Sequence, residues 1–257
     1  MILPTAEKRR FLYVENTIEI RHLSKSYGGV PAVSDLSLTV GRGEVFGLLG
    51  ANGAGKSTAI ECALGTRKAD SGSVRILGLD PRAQRKTLFE RVGVQFQEAY
   101  FQDKITVEEL CETTRSLYRE AADGAALLAR FGLAGKEKRP VSELSGGQRQ
   151  RLFIVQALLP RPEVVFLDEL TTGLDAKARR GVWKYLAGLK AEGLTVFLTS
   201  HFMDEVEALC DRVCILKGGR QVFCGTVAQT VAAGPGGTLE DAYLWLSGEE
   251  GTDDESL

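Results

Sequence analysis

The chain has 257 residues, 44% of them apolar and 26% charged, with a net charge of −2. That length can bury a full core without disulfide or metal staples, and the near-neutral balance gives no whole-chain reason to expect a nucleic-acid partner. No run reaches the roughly eighteen apolar residues that cross a bilayer, and the charged stretch Glu7-Lys8-Arg9-Arg10 lacks the apolar core of a signal peptide, so a cytoplasmic location is expected.

In chain order, residues 18–21 and 32–40 alternate apolar with polar as half-buried strands, and Gly41-Arg42-Gly43 turns into the apolar run 45–49. A glycine-rich loop and a helix follow, then the turn Asp70-Ser71-Gly72-Ser73 and a strand over 74–77. The period then changes. Thr106-Val107-Glu108-Glu109 has capping-box form and opens a helix to about 119, Asp123-Gly124 begins another that ends near 131–132, and Ser145 caps a third that reaches about 159 before Pro160 and Pro162. Strands return at 164–167 and 195–199 around a helix over 176–190, and 213–216 with 221–224 flank Lys217-Gly218-Gly219-Arg220 as a hairpin. A short helix over 239–246 leads to a solvated, disordered end; residues 238–257 hold seven acidic side chains and no basic one, which leaves +5 on the remainder. The five cysteines form no CxxC pair and read as buried, reduced thiols. Cys210 and Cys214, four apart, could meet on a helix, but no second ligand pair accompanies them. The fold class is α/β, with a mostly parallel sheet, an antiparallel β edge and an inserted α-helical subdomain.

Gly50-Ala51-Asn52-Gly53-Ala54-Gly55-Lys56-Ser57-Thr58 fits GxxxxGK[ST] directly after a buried strand. Glycines let backbone N–H groups turn inward around phosphates, and the following helix presents its positive end. Lys56 then reaches the β/γ-phosphates, Ser57 places a hydroxyl for Mg²⁺, and Thr58 sits in the first helical turn. Four apolar residues end in Asp168-Glu169, where a P-loop protein keeps its metal and attacking water: Asp168 is expected to hold Mg²⁺ and Glu169 to act as general base.

Leu144-Ser145-Gly146-Gly147-Gln148 narrows the class. A capped helix start with two glycines is a second anion cradle, and two cradles in one chain invite a dimer. The match to LSGGQ resembles the signature of ABC transporter ATP-binding subunits, and the resemblance extends over about 17–226. It implies that Ser145, Gly146, Gly147 and Gln148 close on the γ-phosphate held by another protomer. Tyr27 resembles the family's adenine-stacking aromatic, Gln97 its Mg²⁺- and water-contacting glutamine, with Gln95 a competing candidate, and His201 its γ-phosphate switch. Asp175, in Thr171-Thr172-Gly173-Leu174-Asp175, is similar to the residue that couples the two sites across the dimer; His22 reads as structural. Many relatives carry Pro after the Asp-Glu pair, whereas Leu170 stands here, which frees a φ angle and suggests a looser loop.

The resemblance implies an ATP-binding domain over 17–230, with an ATPase core at 17–97 and 161–226 and a helical signature subdomain at 98–160. An N-terminal extension covers 1–16 and an acidic tail 238–257. It implies ATP and Mg²⁺ as ligands, hydrolysis to ADP and phosphate, and a homodimer or heterodimer of ATP-binding subunits. The expected partner is an integral membrane permease on a separate chain, with this subunit peripheral on the inner face of the membrane. Leu170 and the segment Leu239-Glu240-Asp241-Ala242-Tyr243-Leu244 look most like the export-type ATPases. Residues 96–102, with Tyr100 and Phe101, are the expected partner-facing surface, core packing being the other account of those aromatics. The alternative function is a soluble ABC-family ATPase acting on ribosomes or DNA. One P-loop, one signature, no heptads and no long basic run argue against it.

Overall fold

Alternating apolar residues at the start produce the long strands β1 (Asn16–Tyr27) and β2 (Val30–Gly41), which pair antiparallel with each other and, through β1, with β4 (Ser71–Ile76). The computed structural model describes residues 16–96 and 101–248, so Gln97, Tyr100, residues 1–15 and the acidic end beyond 248 lie outside the described residues. β1 extends past the expected 18–21 because register shifts, one beside His22 at φ 51°, let a bent strand keep pairing.

The second sheet contains β3 (Val45–Leu49), β5 (Val92–Gln95), β6 (Val164–Leu167), β7 (Thr195–Thr199), β8 (Arg212–Lys217) and β9 (Arg220–Thr226), in the order β5-β6-β7-β3-β8-β9. Its strands are parallel except for β9, which returns antiparallel to β8 through the two-glycine turn. Every residue of β3, β6 and β7 is buried, which fits unbroken apolar runs in a sheet covered on both faces. One face packs with the three-stranded sheet and α1 (Lys56–Ala63), around Phe46, Phe166 and Phe197; the Phe197 ring centroid lies 5.6 Å from that of Phe46 and 5.2 Å from that of Phe166. The other face packs with α3 (Val107–Ser116), α4 (Gly124–Arg130), α5 (Gly146–Leu158), α6 (Ala176–Ala191), α7 (Met203–Leu209) and α9 (Leu239–Ser247). The helices α2 (Arg85–Phe89) and α8 (Val227–Ala233) complete the described α-helices, and a 3-10 turn over Val141–Glu143 precedes α5.

Thr106 and Ser145 both form full capping boxes, and Asp123 caps α4. Cys210 and Cys214 do not share a helix. Cys210 is the C-cap of α7 while Cys214 lies inside β8, and Cys214 instead faces Cys224 across the hairpin.

Gly93 fixes how α5 meets the sheet, because a Cβ there would lie 1.9 Å from the Ala157 carbonyl oxygen. Gly93→Ala is expected to cost about 1–3 kcal/mol by overpacking, read as a lower urea midpoint at unchanged m-value.

Candidate nucleotide-binding site

The loop after β3 is wedged between two pieces of backbone. A Cβ on Gly50 (φ 152°) would come within 2.5 Å of the Leu216 carbonyl oxygen, and one on Gly55 (φ 101°) within 2.1 Å of the Ala32 carbonyl oxygen. Gly53 is needed for conformation alone: it adopts φ 79° in open space. Gly55 starts α1 without a side-chain cap, so the first helical N–H groups face the loop with no competing side-chain acceptor. Lys56 is buried inside this curl, its Nζ donating to Gly50 O at 2.6 Å and Ala51 O at 3.0 Å. Ser57 is exposed beside it and Thr58 half-buried.

A cleft of about 880 Å³ opens over the loop. Besides the loop residues Gly50, Asn52, Gly53, Gly55, Lys56, Ser57 and Thr58, it is lined by Tyr27, Glu169 and His201, so residues far apart in sequence converge there. Ala54 is buried directly beneath. The strand order explains the convergence. β3 lies between β7 and β8, and β6 is next beyond β7, so the carboxyl ends of β3, β6 and β7 deliver the loop, Asp168-Glu169 and His201 to one rim.

Thr199 links two of these strands. Its Oγ1 donates to Asp168 Oδ1 at 2.5 Å and accepts from the Glu169 N–H at 2.8 Å. Glu169 holds φ 53°, a conformation that non-glycine residues seldom occupy and that surrounding bonds must enforce. Gln150 of α5 supplies two of those bonds, its Nε2 donating to the carbonyls of Glu169 at 3.1 Å and Leu170 at 3.0 Å. Leu170 is fully buried in the core, so its side chain anchors the loop where many relatives carry proline. Asp168 is itself buried at the end of β6, and the Ser57 hydroxyl is exposed on the cleft wall that the same rim borders; a carboxylate with a hydroxyl is an all-oxygen donor set that suits Mg²⁺.

Gln95 is a buried side chain whose Nε2 donates to Phe96 O and Asp168 O, at 2.8 and 3.0 Å, which ties β5 to the Asp168 backbone. Tyr27 is 42% exposed, with Lys25 Nζ 5.5 Å and the Arg67 guanidinium 5.2 Å from its ring centroid. His22 is exposed and bonded to Asp35 at 2.7 Å, as a structural residue.

Ser145, Gly146, Gly147 and Gln148 lie at the start of α5 and do not line this cleft, and neither does Asp175. They lie elsewhere: a Cβ on Gly147 would come within 3.2 Å of the Gly173 carbonyl oxygen and 3.3 Å of Leu174, and the Asp175 carboxylate caps α6 by accepting from Ala178 N–H at 2.8 Å.

Three further residues lie at or behind the site, though no reading of the sequence places them there. Thr199 is one. Tyr243 of α9 lines the cleft although it lies more than forty residues beyond His201. Glu205, one turn past His201, is fully buried and accepts from Trp183 Nε1 at 2.9 Å. Burial pushes its carboxyl above the usual range, and the neighbouring Ser200 and Thr171 hydroxyls temper the rise. A glutamate four residues after a candidate switch histidine, on a helix that follows a buried strand, is the signal in the sequence that could have found it.

Residues 33–172 match the family model described as ABC transporter. The Nod factor export ATP-binding protein I of Rhizobium etli is 40% identical over 225 residues, covering 86% of this chain and 70% of that protein. A solved ATP-binding subunit of an ABC transporter superposes with a TM-score of 0.83 at 27% identity, covering 90% of this chain and 99% of the other. A dimeric bacterial ABC transporter cassette superposes with a TM-score of 0.73 at 25% identity, covering 82% and 98%. The chain belongs to the ABC transporter family, as an ATP-binding subunit whose ATP hydrolysis is coupled to transport. These relatives are named for export or for ABC transporters, and none of them for a ribosome or for DNA.

Thr199→Val removes the donor to Asp168 and orphans the Glu169 N–H. Turnover is expected to fall about 10–100-fold while ATP affinity, measured by titration calorimetry, changes little.

Proposed function

We propose that this subunit powers export through separate membrane subunits, and that its two working sites form only when two such domains close around ATP. The observation that carries this reading is the division of the site. Tyr27, the phosphate loop, Glu169 and His201 share one cleft, while the second anion cradle at Ser145–Gln148 is directed elsewhere. A capped helix start with two glycines, one of them exposed in open space, is idle in one protomer and useful only against a partner's phosphate. The dimeric cassette of the same fold supports this arrangement, and the export named for the Rhizobium relative supports the direction.

In this reading Tyr27 stacks on adenine, Gly50, Asn52, Gly53, Ala54 and Gly55 offer backbone N–H groups to the phosphates, and Lys56 moves from its loop carbonyls to the β/γ-phosphates. Ser57, Asp168 and Gln97 would hold Mg²⁺, which would supply charge neutralisation at the phosphates. Glu169 takes the proton of the attacking water, its position fixed by Thr199 and Gln150. His201 donates to the γ-phosphate, while Ser145, Gly146, Gly147 and Gln148 close on it from the other protomer, with Asp175 at the seam. Loss of that phosphate removes the ligand that held the halves together. The core at 17–97 and 161–226 and the helical segment at 98–160 then act as the two lobes of this clamp.

For docking to the membrane subunit, Phe101 is half-buried against Phe153, with ring centroids 6.3 Å apart, so it serves packing first. The better contact surface is the groove of Arg85, Phe89, Glu90, Leu117 and Tyr118, where Leu117 is 71% exposed. A cytoplasmic segment of the permease with apolar residues flanked by charge fits it.

Glu169→Gln is expected to keep ATP binding, lose more than about 10²-fold of turnover and trap an ATP-bound dimer on gel filtration. Near-normal hydrolysis by that variant would falsify Glu169 as the base. Leu117→Asp is expected to release the subunit from membranes with ATP affinity unchanged; retention on membranes in a flotation assay removes the groove from consideration. Mild-detergent purification should bring down polytopic membrane proteins in stoichiometric amount, and ribosomal proteins in their place would overturn the transport reading.

A further inference from the structure

Cys214 of β8 and Cys224 of β9 are direct cross-strand partners. Facing residues of an antiparallel pair have Cα atoms about 4.5–5.5 Å apart and side chains on the same face, within the span a disulfide bridges. The two thiols differ sharply. Cys214 is completely buried, whereas Cys224 is partly exposed and has the Arg212 Nη2 3.8 Å from its sulfur. Arg212 is held in place by the Thr39 carbonyl at 3.1 Å, by Glu44 at 3.2 Å and by the Phe46 ring, 5.5 Å from its centroid.

We propose that Cys214 and Cys224 form a reversible oxidation site, closed to a cross-strand disulfide by small hydroperoxides and felt at the nucleotide cleft. The hydrogen bond with Cys214 lowers the Cys224 thiol, burial opposes that and the Arg212 charge adds to it, while Cys214 itself is pushed up, so Cys224 is the member of the pair that gives up its proton more readily. Among the other described thiols, burial pushes Cys62 and Cys210 up and Cys111 to about 11, so Cys224 alone is poised to react. The Cys224 thiolate attacks one peroxide oxygen, the O–O bond breaks, and the departing alkoxide or hydroxide takes a proton from water. The product is a sulfenic acid. The Cys214 sulfur then attacks the Cys224 sulfur, the S–O bond breaks, and water leaves with the Cys214 proton. Two thiols have supplied two electrons and the peroxide has been reduced to alcohol and water.

The coupling follows from what the hairpin touches, and it rests on the nucleotide reading of the cleft. Leu216, two residues from Cys214, presents the carbonyl that limits Gly50. The Gly219 N–H donates to Ala54 O at 3.0 Å, and Gly219 O accepts from Ser34 N–H at 2.7 Å. A register shift between Ile215 and Leu216 lies between the thiols and this turn. Drawing the two Cβ atoms to about 3.8 Å changes the twist of the hairpin, and the phosphate loop resting on it must follow.

The test uses the full reduced chain, treated with a few equivalents of hydrogen peroxide, alkylated, digested and analysed by mass spectrometry. The expected result is a peptide pair joined through Cys214 and Cys224, about two mass units lighter than its free thiols and absent from Cys224→Ser. Cys214→Ser should stop at a Cys224 sulfenic acid that dimedone traps. ATP Kd, measured on the same samples, should weaken at least about threefold on oxidation and recover with dithiothreitol, with Cys224→Ser insensitive to both. Free Cys214 and Cys224 after treatment, linkage to another cysteine, or a disulfide with unchanged Kd overturns the proposal. Failure of the reduced chain to bind ATP strikes the nucleotide reading instead, since the disulfide is read by mass alone.

Discussion

The close approach of bare backbone at Gly50 and Gly55 is the constraint on which the rest depends. At both positions the loop meets a carbonyl at a distance that no side chain could share, Leu216 on one side and Ala32 on the other. Two sheets are thereby registered against one loop, the parallel sheet through β8 and the antiparallel sheet through β2. The Gly219 N–H adds a bond to Ala54 from below. A phosphate cradle needs N–H groups fixed before the anion arrives, because ordering them afterwards would consume binding energy. Here the order is supplied by packing of backbone on backbone.

A second layer of constraint gathers on the loop after β6. Glu169 sits in a strained conformation, and its neighbours hold it from three directions: Thr199 at its N–H, Gln150 at its carbonyl and the burial of Leu170 next in sequence. Gln150 lies on the same helix as the Ser145–Gln148 cradle, less than two turns on, and Gly147 touches the Gly173 carbonyl in the loop that follows Glu169. One contiguous set of contacts therefore joins the Ser145–Gln148 helix start to the carboxylate that faces the cleft. Such continuity is a physical route for coupling because Gln150 bonds the Glu169 and Leu170 carbonyls from the same helix that Ser145 caps.

Much of this is readable from residue order. Buried strands announce themselves as unbroken apolar runs at 45–49, 164–167 and 195–199, and capping boxes at Thr106 and Ser145 mark helix starts correctly. The box at Thr226-Val227-Ala228-Gln229 has the same form, yet α8 is hard to see because seven residues give too short a periodic pattern behind a strand. The short α2 and α7 are hidden for the same reason. Within the site, motif residues are legible because their spacing along the chain is fixed by local geometry. Thr199, Glu205 and Tyr243 are not, since what places them is the lateral order of strands and the docking of α7 and α9, and neither leaves a local pattern. The pairing of Cys214 with Cys224 belongs with these, because nine residues of hairpin separate two thiols that spacing rules connect only when close.

Glu205 carries a consequence for how the rim of the cleft responds to acidity. A carboxyl whose folded pKa is raised above its unfolded value contributes stability fully at pH below the unfolded value and loses it as pH rises through the folded one. The loss is local, falling on α7, whose first turn follows His201 and which the Trp183 bond ties to α6. As pH rises from the ordinary carboxyl range through the raised Glu205 value, the opening free energy of one small cooperative unit beneath the His201 side of the cleft falls, while the glycine-locked loop opposite does not titrate with it. The two walls of the same cleft answer to different variables, one to protons and the other to packing alone.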